Sequence, residues 1–204
     1  MRIGVLVSGY GSNLQALLDA AAAGAPYTVA VVIANIAGAP ALERARRAGV
    51  PAHLVEHRGR SRREFEADLL RLLREARVDL VCLAGFLRIL SPWFVSHFRG
   101  RILNIHPALL PAFGGRGMYG LRVHEAVLAS GALRSGCTVH LVDETVDGGP
   151  ILAQATVPVL PGDTPETLAA RVAQAEHRLY PEVVGEVASG RLLLKVRVAP
   201  AAGG

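Results

Sequence analysis

With 204 residues the chain has room for one domain whose core needs neither a metal nor a disulfide to hold it. Hydrophobic residues make up 51% and charged residues 19%, which excludes a disordered chain, and no apolar run reaches the roughly 20 residues of a membrane-spanning helix. The net charge of +5 is almost wholly arginine, Lys195 being the only lysine, and it suits a mild field that draws in small anions.

The chain opens on "RIGVLVSG", a strand over 3–7 with no signal-peptide n-region or cleavage site, so a cytoplasmic protein is expected. "SGYGSNLQALL" follows directly and starts a helix over 13–22. Glycines let the backbone approach a ligand, and a helix N-terminus offers unpaired N–H groups with partial positive charge. Gly9 and Gly11 fit a dinucleotide fingerprint, but Leu14 stands at its third glycine and Asn35, not an acid, ends the next strand. A single phosphate monoester on Gly11, Ser12 and Asn13 is therefore expected in place of a nicotinamide dinucleotide. A purely structural turn, with Ser12 or Asn13 capping the helix, is the alternative.

Strands over 29–34, 53–55 and 80–83 alternate with helices over 41–48 and 62–77. In the second of these helices Phe65, Leu69, Leu72, Leu73 and Ala76 recur at helical spacing and form one buried stripe. The basic stretch "HRGRSRRE" at 57–64 reads as a solvated loop and helix start; with no aromatic residues between its cations it makes a poor nucleic-acid platform. The early strands are almost continuously apolar, as in parallel strands covered on both faces, so a doubly wound, Rossmann-like α/β fold with a mostly parallel sheet is expected. In such a sheet ligands bind beyond the carboxyl ends of the strands. That places "GFLRIL", with Leu87, Arg88, Ile89 and Leu90, in a candidate position, although Arg88 alone could be an ordinary surface residue.

The strand over 102–105 carries Asn104, with His106 and Pro107 at its end. Residues two apart on a strand point the same way, so Asn104 and His106 face one place together. Farther on, strands over 138–142 and 151–159, expected to be partly antiparallel, flank "VDETVDGGP". Asp143, Glu144 and Asp147 there suit either an acidic turn or an orienter and proton relay for a histidine. A helix over 165–188 closes the pattern, and the tail "APAAGG" is expected to fray. Cys82 and Cys137 match no metal spacing and read as buried small hydrophobes; His53, His57 and His97 are too scattered to bind a metal, and none is expected.

Taken together, "VLVSGYGSNLQALL", "LAGFLRILSP", "ILNIHPALLPAF", "GCTVHLVDETVDGGPIL" and "AEHRLYP" closely resemble the phosphoribosylglycinamide formyltransferases, the folate-dependent GAR transformylases of purine synthesis, over nearly the whole chain. The resemblance implies the formyltransferase fold as a single domain over 1–204, with a phosphate-binding half at 1–100 and a folate and catalytic half at 101–204. It implies formyl transfer from 10-formyltetrahydrofolate, a co-substrate, to the amine of glycinamide ribonucleotide, without a metal. Asn104, His106 and Asp147 would be the catalytic trio; Gly11, Ser12 and Asn13 would hold the substrate phosphate, and Glu176 its ribose or glycinamide end. Leu87, Arg88, Ile89 and Leu90 would line the folate site with Asn104, Asp143 and Glu144, and Arg63 would reach the folate tail. Partners would be these small molecules, with no nucleic acid and no membrane, for a monomer or a homodimer. Residue-by-residue transfer stops between Ala112 and His124, where the glycines of "GGRGMYG" are expected to form a mobile flap over the folate site.

Three other readings were weighed. A formyltetrahydrofolate deformylase uses the same trio but usually carries an N-terminal regulatory domain, and a methionyl-tRNA formyltransferase usually adds a C-terminal one; neither is expected here. A non-catalytic phosphate-binding module accounts for "GYGSN" but leaves the trio without a purpose.

Overall fold

The computed structural model describes residues 1–192 and 194; the expected fraying of 199–204 lies outside them. Seven strands form one sheet: β1 (Arg2–Val7), β2 (Thr28–Ala34), β3 (Ala52–Leu54), β4 (Leu80–Leu83), β5 (Ile102–His106), β6 (Arg134–Leu141) and β7 (Ile151–Pro158). Their spatial order is β3-β2-β1-β4-β5-β6-β7. The pairs among β1 to β5 are parallel, and β6 runs antiparallel to both β5 and β7.

Period-2 alternation sorts the strands' side chains between two cores. Ile3, Val5 and Val7 of β1 meet Leu80 and Cys82 of β4 and Leu103 and Ile105 of β5 on one face. There they pack against α1 (Ser12–Ala22), α2 (Pro40–Arg47), α5 (Leu121–Ala129) and α6 (Pro165–Ala188). Leu6, Val81, Leu83 and Ile102 point the other way, against α3 (Arg62–Glu75) and α4 (Pro92–His97). No β6 side chain belongs to that second core. The second core thus stops at Ile102 of β5, and Asn104 and His106, farther along the strand, lie on the same face beyond it.

Several expectations need correction. Neither Ser12 nor Asn13 caps α1: the N-cap is Gly11 at φ +79°, with no side-chain cap. Asn13 is drawn instead to Glu176. The strand expected over 138–142 begins earlier, at Arg134, and ends at Leu141; it includes Gly136, where a Cβ would lie 2.0 Å from the Ala155 carbonyl oxygen. Helices α4 and α5 lie where the sequence gives no helix; α4, at six residues, carries too few turns to show a periodic signal. Both cysteines are buried, and burial pushes each thiol up to about 12.

Candidate active site

The sheet reverses its winding between β1 and β4, since β1 leads to β2 and β3 on one side while β4 leads to β5 on the other. Loops diverge at such a switch point and leave a crevice at the strands' carboxyl ends. A cavity of about 570 Å3 opens there. Its walls include Asn13, Leu87, Arg88, Ile89, Leu90, Asn104, His106, Asp143, Glu144, Asp147 and Glu176, so most of the expected site residues do come together.

Asn104 and His106 reach the cavity from β5, as their spacing requires. Opposite them across the antiparallel ladder, Asn104 pairs with His140 and His106 with Thr138. Cross-strand partners have adjacent Cβ atoms, and the Asn104 Nδ2 lies 3.1 Å from the His140 Nε2. The His140 Nδ1 is 2.8 Å from the Leu141 carbonyl oxygen and donates to it. That fixes the tautomer: Nε2 keeps its lone pair and accepts from Asn104, leaving the second Nδ2 hydrogen for a ligand. Burial lowers the His140 pKa and so maintains this neutral form.

The His106 ring is fixed from the other side. Its Nε2 lies 2.8 Å from the Phe113 carbonyl oxygen and donates to it. Nδ1 faces Asp147 at 3.7 Å, too long for a hydrogen bond. Asp147, at φ +54°, also stands 3.7 Å from the His140 Nε2 and accepts from the Gly115 N–H at 2.9 Å. One carboxylate thus touches both histidines and the flap. The turn that carries it depends on its glycines: a Cβ on Gly149 would lie 1.9 Å from the Leu141 carbonyl oxygen.

Also in the cavity wall, the Asn13 Nδ2 donates to the Glu176 Oε2 at 2.8 Å. Burial raises Glu176 to about 7, with the Asn13 bond acting against the rise. Tyr180, one turn farther along α6, sets the helix in place with its hydroxyl 3.0 and 3.1 Å from the carbonyl oxygens of Leu83 and Leu103. Gly11 and Ser12 lie just outside the cavity wall. Their loop is tight: a Cβ on Gly11 would come within 2.7 Å of the Ala41 Cβ, and Arg44 Nε donates to the Tyr10 carbonyl at 2.9 Å.

Arg63 is placed elsewhere, with its guanidinium 3.5 Å from the centroid of the Trp93 ring and no part in the cavity wall. Asp143 accepts from the Thr145 N–H at 2.7 Å within its own turn. Glu144 lies 3.9 Å from Arg99. Sequence reasoning missed His140, the Phe113 carbonyl and His124. His124 is 4% exposed, lines the cavity and leaves Nδ1 without a partner; burial and the nearby His106 lower its pKa. A histidine inside the apolar run "CTVHLV" was the available signal for His140.

A family model for formyl transferases matches residues 1–184. The chain belongs to the formyl transferase family. Within it, the chain is 46% identical over 194 residues to the phosphoribosylglycinamide formyltransferase of Escherichia coli strain K12, covering 94% of this chain and 89% of that protein. It is 50% identical over 195 residues to the trifunctional purine biosynthetic protein adenosine-3 of Drosophila pseudoobscura pseudoobscura, and spans 94% of its own length but only 14% of that longer protein. The crystal structure of glycinamide ribonucleotide transformylase 1 from Symbiobacterium toebii superposes with a TM-score of 0.90 at 50% identity, covering 97% of this chain and 92% of the other. Formyl transferase membership agrees with a doubly wound sheet whose cavity holds an amide, an imidazole and a carboxylate together.

Proposed function

We propose that this formyl transferase moves the formyl group of 10-formyltetrahydrofolate to the amine of N1-(5-phospho-D-ribosyl)glycinamide, a step of purine synthesis. The observation that carries the reading is the convergence of Asn104, His106 and Asp147 in one cavity that Asn13 and Glu176 also line. In this reading the formyl group lies beside the trio and the acceptor is anchored by Asn13 and Glu176.

Attack by the amine puts negative charge on the formyl oxygen, and preorganised donors stabilise it. The free Nδ2 hydrogen of Asn104 and Nδ1–H of a protonated His106 are those donors. Asp147, facing the His106 Nδ1 at 3.7 Å, orients the ring, takes the proton that the attacking amine must lose and returns one to the leaving folate nitrogen. The chemistry needs neither a covalent nucleophile nor a metal. Gly11, Ser12 and Asn13 take the phosphate on the first N–H groups of α1, which have no intrahelical acceptors. Glu176 takes the ribose or glycinamide end. Leu87, Arg88, Ile89 and Leu90, with Asp143 and Glu144, receive the folate. In this reading Arg63 reaches the folate tail only by leaving Trp93. Loop 112–121 covers the site and excludes water.

The reading treats 1–204 as one domain whose phosphate half, 1–100, and folate and catalytic half, 101–204, meet at the cavity. It suits a monomer or a homodimer, since one chain supplies every wall named. Among the described residues no helix is long and apolar enough to cross a membrane. The two buried, unpaired cysteines accord with a cytoplasmic setting.

Incubation with 10-formyltetrahydrofolate, with and without glycinamide ribonucleotide, tests the proposal by following deformylated folate. Turnover should depend on the ribonucleotide. Equal turnover without it would make the chain a deformylase, and no turnover would leave a binding module.

A further inference from the structure

The folate wall of the cavity is a loop, 85–91, that exposes large apolar side chains: Leu87 is 54% exposed and Ile89 42%. Loops with exposed apolar tips tend to collapse or move, yet both ends of this one are tied to buried polar groups. Ser8, 3% exposed at the end of β1, accepts from the Leu87 N–H through its hydroxyl at 2.7 Å. The same hydroxyl donates to the Asn35 Oδ1 at 2.6 Å, and the Ser8 N–H donates to the Gly85 carbonyl at 3.1 Å. Asn35 in turn contacts His57 at 3.2 Å, so the tie runs across the ends of β1 and β2 into the segment after β3.

The other end is held by Glu66 on α3, a carboxylate only 1% exposed. Among the described residues it takes part in no ion pair. Burying such a group is unfavourable unless it is well hydrogen-bonded. Its partners are the Ser91 N–H, at 2.7 Å from Oε1, and the Ser91 hydroxyl. Ser91 is also the N-cap of α4, where its hydroxyl accepts from the Phe94 N–H at 3.2 Å. Beside Glu66, Phe65 stacks on Phe86 of the loop with centroids 6.5 Å apart and rings 10° from parallel. None of these groups reaches the trio, so the proposed chemistry does not account for them.

We propose that Ser8 and Glu66 are positioning residues that hold loop 85–91 as a preformed template for the folate. The inference rests on reading this wall as the folate site. Both residues act on the folate side, Ser8 through the Leu87 N–H and the Gly85 carbonyl and Glu66 through Ser91. A preordered loop avoids the entropy of ordering on binding, so its loss appears in folate affinity and leaves the chemical step nearly unchanged.

The test uses the full chain, with tetrahydrofolate and glycinamide ribonucleotide as separate calorimetric probes and steady-state kinetics alongside. Glu66→Leu should weaken tetrahydrofolate binding and raise the KM for 10-formyltetrahydrofolate by about tenfold or more, with kcat within about threefold and ribonucleotide affinity unchanged. Glu66→Gln, which keeps an acceptor for the Ser91 N–H, should stay within about threefold of the parent. Ser8→Ala, a smaller truncation, should show the same preference for the folate side and carries the test if Glu66→Leu fails to fold. If the parent binds tetrahydrofolate and the folded variants bind it equally well, the inference falls while the folate reading stands. Equal losses for both substrates would reduce the two residues to general scaffolding and overturn it too. A parent chain that binds no tetrahydrofolate would overturn the folate reading and the inference together.

Discussion

Two loops line the cavity, and they are held in opposite ways. Loop 85–91 hangs from Ser8 and Glu66, groups that lie outside the reacting centre. Loop 112–121 is held by the reacting centre itself: the Phe113 carbonyl accepts from His106, and Gly115 donates to Asp147. Its other tie is local, from the Met118 N–H to the Gly115 carbonyl at 3.1 Å. The first wall is therefore bonded independently of Asn104, His106 and Asp147, whereas the second shares hydrogen bonds with His106 and Asp147.

Substitutions at Asp147 should break this contrast most severely. Asp147→Asn keeps an oxygen for the Gly115 N–H but loses the charge, and should lower kcat by about two orders of magnitude or more with the loop still closed. Asp147→Ala should lose both, so that limited proteolysis within 112–121 accelerates. Asn104→Ala should cost about as much in kcat as Asp147→Asn, yet leave the cleavage rate as it was, since Asn104 does not touch the loop. Near-parent turnover in Asn104→Ala or Asp147→Asn would remove the trio from the mechanism, and equal proteolysis of all three variants would undo the contrast between loops.

A smaller effect is expected one contact away. His140→Phe keeps the ring volume but leaves Asn104 without its acceptor, so kcat should fall by about 5- to 10-fold, the equivalent of roughly 1 kcal/mol of hydrogen bonding. Both KM values should change little. A fall in kcat as large as that of Asn104→Ala would mean that His140 itself meets the reacting atoms.

The mildest test concerns pH and Glu176. The folded state holds the Glu176 proton up to about 7, against an ordinary value of 4.5, because the group is buried. The stability this contributes is full below the unfolded value and is lost as pH rises through about 7. Tm should therefore decline across that interval, and Glu176→Gln, neutral throughout, should flatten the decline. An identical slope in both proteins would show that Glu176 titrates normally.

How far the residues alone could be read differs between parts of the site. Alternation along β5 was enough to put Asn104 and His106 on one face, because a strand's period of two is a local property. The turn at "VDGGP" was legible for a similar reason, since glycine marks where a backbone comes too close to its neighbour for a Cβ. His140 was not legible: its role depends on the antiparallel register that sets it opposite Asn104, and register is a relation between distant segments. The pairing of Asn13 with Glu176 was not legible either, because the two lie 163 positions apart. The need for Gly136 likewise shows only against the neighbouring strand.

Local sequence thus determined the apolar strands, the amphipathic stripe of α3, the glycine loop before α1 and the facing pair on β5, all of which follow from near-neighbour geometry and burial. Tertiary structure alone decided which nitrogen of His140 carries the proton, where Arg63 rests, and which buried groups hold each wall of the cavity. Those depend on which carbonyls and side chains the fold brings within about 3 Å of one another. No local pattern encodes that, because hydrogen-bond partners in a folded chain are chosen by space and not by spacing.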